Sequence, residues 1–184
     1  LFYDSGINCL ESFTSILLIE NNKKQTILNL LNQKLASAQR DEVVEVLNSI
    51  TLLLKLECIT LEDKSELIDL IINAVYWLAR GDLEDCISAC SYVIILKKDL
   101  INIEQITKLC IALTNIRKML NEEEKTVDIK TIKIKSSAAF LAKCINDFLI
   151  DLNMPVPEEI EKWKNIAFDE NEFVEIRNQW EEII

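Results

Sequence analysis

Apolar residues return every three or four positions along almost the whole chain, the period of one face of an α-helix. Ile7, Leu10, Phe13, Ile16, Leu17 and Ile19 form the first stripe, ended by the polar run ENNKK. Ile27, Leu28, Leu30, Leu31 and Leu35 form the second, over residues 24–38. Asp41 and Glu42 place acid where a helix N-terminus favours it, and Val43, Val44, Val46, Leu47, Ile50, Leu53 and Leu54 follow.

The breaks between stripes carry helix-start chemistry. Thr60 stands three residues before Asp63, and Asn102 three before Gln105, the spacing at which a side chain caps the first free backbone N–H groups. They introduce stripes at Leu67, Ile71, Ala74, Val75 and Leu78 and at Ile106, Leu109, Cys110, Leu113, Ile116 and Leu120. Between them, Gly81 suits a helix C-terminus because glycine enters positive φ without steric cost. Asp82 then caps a helix reaching about Lys98, with Leu83, Cys86, Ile87, Cys90, Val93 and Ile94 on its apolar face.

Residues 121–130, NEEEKTVDIK, are read as a polar link. VDIKTIKIK alternates briefly, so residues 127–134 are open between helix and short strand. A helix from about Thr131 to residue 152 is preferred, because Ile134, Ala138, Leu141, Ala142, Ile145, Phe148 and Leu149 step by three and four. Pro155 and Pro157 mark a stop and restart, with Pro157 expected at a first helical position. A terminal pair of short helices closes the chain at Ile160, Trp163 and Ile166, then Phe173, Ile176, Trp180 and Ile183.

The pattern thus predicts one all-α domain over residues 1–184, with about nine helices joined by short connections. Helix pairs occupy residues 1–120, followed by the link, the long helix and the terminal pair at 157–184. First members of pairs start near 23, 61 and 102 and second members near 40, 82 and 131, a repeat of roughly 38 to 50 residues. Over about residues 23–150 this resembles HEAT or armadillo α-solenoid repeats, and SSAAFLAKCINDFL looks like an inner repeat helix. The resemblance implies stacked antiparallel helix pairs. The chain departs from it in lacking the proline of the first repeat helix and the Asp and Arg between helices, so a compact helical bundle stays open.

Composition narrows the function classes. Two glycines and two prolines in 184 residues leave too little turn chemistry for a sheet protein. A net charge of −11 argues against phosphate-directed nucleic-acid binding and against an anionic membrane surface. It leaves open an acidic mimic of DNA. No apolar run reaches the length of a membrane-spanning helix. The six cysteines, Cys9, Cys58, Cys86, Cys90, Cys110 and Cys144, lie in or beside apolar helical stretches, where a reduced thiol acts as a small hydrophobe. A reducing, cytoplasmic setting is expected, and the chain is read as a piece of a larger protein.

Histidine is absent, which removes Ser-His-Asp and Cys-His catalysis and histidine-ligated metals from this chain. No glycine-rich phosphate loop or calcium loop occurs. Cys86 and Cys90 are one turn apart, but on an apolar stripe rather than in a zinc knuckle. Arg80-Gly81-Asp82 spells an adhesion tripeptide, and its place at a helix boundary accounts for it more simply. No catalytic residue, cofactor or metal is therefore assigned.

The expected function is non-catalytic protein–protein interaction or scaffolding, with another protein or another domain of the parent chain as partner and self-association possible. The alternative is a compact helical effector or immune modulator, viral or bacterial, that binds a partner helix. Candidate interface residues are Trp163, Trp180, Phe173, Glu172 and Glu175, because aromatics anchor interfaces and residues 157–184 hold nine acids against three bases. For Trp77 a core position is favoured.

Overall fold

The computed structural model describes residues 24–37, 40–55, 59–76, 83–122, 129–164 and 166. Among them are seven α-helices, one 3-10 turn and no strand. They are α1 (Lys24–Ser37), α2 (Arg40–Lys55), α3 (Leu61–Tyr76), α4 (Leu83–Leu96), the 3-10 turn Lys98–Leu100, α5 (Ile103–Glu122), α6 (Ile129–Asp151) and α7 (Glu158–Trp163). The helices expected over residues 7–19 and 173–183 lie outside the described residues, as do Arg80, Gly81, Asp82 and Trp77.

Of the expected caps, the two within the described residues are formed. The Asp63 N–H donates to Thr60 Oγ1 at 3.1 Å, and the Thr60 hydroxyl donates to Asp63 Oδ2 at 2.6 Å. At α5 the box is reciprocal: Gln105 N–H donates to Asn102 Oδ1 at 2.9 Å, and Asn102 N–H donates to Gln105 Oε1 at 3.0 Å. Each satisfies N–H groups that a helix start leaves without an intrahelical acceptor.

Residues 129–134 are helical, so the strand alternative does not hold there. Alternation over a few residues loses to the longer stripe, because Ile134 is buried in register with Ala138, Leu141 and Ile145. α5 also runs on to Glu122, and α6 begins inside the expected link. Pro157 stands at the N-cap rather than at the first helical position, with φ −61° and ψ 145°. At the end of α6, Asn153 takes φ 54° while Met154 N–H donates to Leu149 O at 2.9 Å, a left-handed stop that asparagine tolerates.

Each described helix packs on the next but one, and sequence neighbours pack on one another except that α4 and α5 make no substantial contact. α3 touches α1, α2, α4 and α5, and α6 touches α4, α5 and α7. The largest contact joins α4 and α6. A polar clasp accompanies each next-but-one step along the odd helices. Lys24, the first residue of α1, meets Asp63 and Glu66 of α3 at 2.6 and 2.9 Å. Gln105 Nε2 donates to Asp69 Oδ1 at 3.1 Å and to Ser65 O at 3.4 Å, tying the start of α5 to α3. The Arg117 guanidinium forks onto Glu159 at 2.7 and 3.0 Å, tying α7 to α5.

One continuous core runs through the described helices, from Ile27 and Leu31 to Ile160 and Trp163. α4 is its most enclosed element: ten of its fourteen residues are buried, from Leu83 to Ile94. Its sequence, LEDCISACSYVIIL, is apolar or small on every side after the first turn, as a helix covered on all faces requires.

Candidate binding groove

α4 and α6 run side by side in the same direction. Lys133 reaches Glu84 at 3.9 Å near their N-terminal ends, and Lys98, just after α4, pairs with Asp151 in the last turn of α6. Between the C-terminal halves of the two helices lies a groove of about 320 Å³. Ile94 and Ile95 line it from α4, and Phe140, Cys144 and Phe148 from α6. Lys98, Lys143, Asp147 and Asp151 complete its lining. Ile95 is 44% exposed, a large apolar side chain left at the surface beside buried Ile94.

The cysteines in and near this lining are held as neutral thiols. Burial pushes the Cys144 thiol up to about 12, with Asp147 adding to the effect. The neutral thiol is favoured there, and the thiolate is the nucleophilic form. Burial likewise raises Cys110 to about 11, with Glu159 contributing, and lifts Cys90 well above the ordinary thiol range. Cys90, Cys110 and Cys144 are free cysteines. Among the described residues no group of three or more His, Cys, Asp or Glu is placed to hold a metal ion. No helix among them is long and apolar enough to cross a membrane.

Of the interface candidates, Trp163 falls within the described residues, and it is only 1% exposed. It belongs to the core with Ile160, and its indole Nε1 has no hydrogen-bond partner. The ring thus packs with the core, on a helix that the Arg117–Glu159 pair also ties to α5. Trp180, Phe173, Glu172 and Glu175 lie outside the described residues.

The groove residues were not singled out by sequence reasoning. One signal was present: Phe140, Cys144 and Phe148 step by four beside a charged row, Lys143, Asp147 and Asp151, with the same step. Which helix would face that double row is not written locally.

Comparison of the chain with protein-family models, with curated proteins and with solved structures found no match.

Proposed function

We propose that this chain is a non-catalytic interaction or scaffold module of a larger intracellular protein, built as stacked helix pairs of the HEAT-like kind. The observation that carries this is the repeated next-but-one packing, α1 on α3 on α5 on α7 and α2 on α4 on α6, with clasps at successive steps. In a helical-repeat protein each pair covers its neighbours' apolar faces, and the surface so built serves recognition. The α4–α6 groove is the part of that surface assigned to a partner.

The test is affinity capture using the wild type, Ile95→Glu and Trp180→Ala as baits, with partners scored by quantitative mass spectrometry. Ile95→Glu places a charge on the groove wall at an already exposed position, so it is expected to remove specific partners while leaving the helical content intact. If all partners remain with both variants, the interaction reading fails for groove and tail alike.

The near-complete enclosure of α4 favours a second reading, a compact helical effector organised around a central helix. Small-angle scattering separates the two. An elongated profile supports the stack, and a globular one supports the bundle.

A further inference from the structure

α7 is six residues long, too few to hold a helix without tertiary support. Ile160 and Trp163 supply that support, each 1% exposed on a helix packed against α5 and α6. Met154 and Val156, in the chain leading to α7, are partly buried against the same core.

The charges of α7 mostly face one another. Lys162 pairs with Glu158 at 3.0 Å and with Glu159 at 4.0 Å, and Lys164, just after the helix, pairs with Glu161 at 2.6 Å. These pairs stiffen α7 without holding it down. Among the described residues, the ion pair that crosses from α7 to another helix is the Arg117–Glu159 fork.

Two further features bear on how firmly α7 is held. The Trp163 indole N–H is buried with no hydrogen-bond partner, so the closed form carries a polar group that water would satisfy on opening. The connection from α6 turns at Asn153, whose φ of 54° lies in the left-handed region. Leu152, Asn153, Pro155 and Pro157 are exposed, and the two prolines fix φ along the arm that carries α7. Rotation therefore falls mainly at Asn153, a position at the end of a helix of the kind that serves as a hinge.

We infer that residues 154–164 form a hinged cover on the α5–α6 seam, which opens about Asn153 while α1 to α6 stay folded and is latched by the Arg117–Glu159 fork. Opening bares the apolar sides of α5 and α6 that Ile160 and Trp163 occupy when the cover is shut. The device belongs to the fold itself and does not depend on the interaction reading above.

The test is residue-resolved hydrogen exchange by NMR on the whole 184-residue chain, over a series of low urea concentrations. The probe is the Trp163 indole N–H, and the reference is the backbone N–H of Val93, 1% exposed on α4. In the wild type, protection of the indole is expected to be at least about tenfold lower than that of Val93, once intrinsic rates are divided out. Its urea dependence should also be weaker, because opening the cover exposes less surface than global unfolding. Arg117→Gln should speed indole exchange about tenfold, the scale of one charge-assisted hydrogen bond. Ile87→Val, a small truncation in the core of α4, should speed Val93 exchange about fivefold and leave the indole rate unchanged, since α4 stays folded in the open form. The inference is overturned if the indole is as protected as Val93, if Ile87→Val speeds both alike, or if Arg117→Gln leaves the indole rate unchanged. The wild-type and Ile87→Val measurements decide even if Arg117→Gln fails to fold.

Discussion

Two serines three residues apart on α4 should respond in opposite directions to the same substitution. Ser88 is buried, and its hydroxyl has no hydrogen-bond partner. Ser91, buried in the same helix, donates to Ile87 O at 3.1 Å. Leaving a hydroxyl buried without a partner costs about 1–3 kcal/mol, and alanine is a better helix former than serine by about 0.5 kcal/mol. Small losses in packing offset part of that, so Ser88→Ala is expected to stabilise the fold by about 1–2 kcal/mol. In Ser91→Ala a hydrogen bond worth about 1 kcal/mol is lost and the same propensity gain is recovered, giving a change of about 0–1 kcal/mol in the destabilising direction. For a chain of this size each kcal/mol moves the midpoint by about 2–4 °C. Thermal and urea unfolding followed by circular dichroism at the helix band should therefore order the proteins as Ser88→Ala, wild type, Ser91→Ala. A Ser88→Ala variant no more stable than wild type would refute the reasoning, because it would mean that the hydroxyl finds a partner in the folded state.

Three further outcomes follow from a clasp, the thiols and the core. Asp63 is pushed up by burial, but hydrogen bonds from Lys24 and Thr60 outweigh that and hold its carboxyl below the ordinary 3.8. A depressed folded value contributes stability that is present above the unfolded value and lost as pH falls through the folded one. The wild type should thus lose stability on acidification below about pH 4, and Asp63→Asn should be weaker at neutral pH with a shallower acid limb. A parallel pH dependence in the two proteins would count against the Lys24 clasp. Native protein at pH 8 should leave Cys90 and Cys144 unlabelled by iodoacetamide while urea-unfolded protein reacts at both, as peptide mapping can show, because burial suppresses thiolate and access together. Ile87→Ala, at a fully buried position on α4, should cost about 2–5 kcal/mol by urea unfolding, and a cost below 1 kcal/mol would show that α4 is less enclosed than its burial implies.

Much of the architecture is local and so could be read from the chain. Thr60 with Asp63 and Asn102 with Gln105 are three-residue relationships, and each helix start forms where that spacing placed it. The three-and-four stripe from Ile134 onward settled residues 129–134 as helix for the same reason, since one face of a helix is fixed by neighbours within two turns. Even the unusual character of α4 was written in LEDCISACSYVIIL, which has too little polar surface for an exposed helix.

What the sequence could not rank is which side of each stripe would be covered, and by what. Trp163 and Ile95 are both large apolar residues on helices. Trp163 is buried on α7, which packs against α5 and α6 and is tied to α5 by Arg117, 42 positions earlier than Glu159. Ile95 is left 44% exposed one position after buried Ile94, on the wall of a groove whose other side is α6, more than thirty positions further along. The groove arises from the same long-range choice, with its wall on α4 and its floor and charged rim on α6. Helix positions and faces followed from periodicity and caps, which act within a few residues. The pairing of faces was decided by tertiary packing, because burial depends on partners distant in the chain and many apolar stripes offer a similar fit.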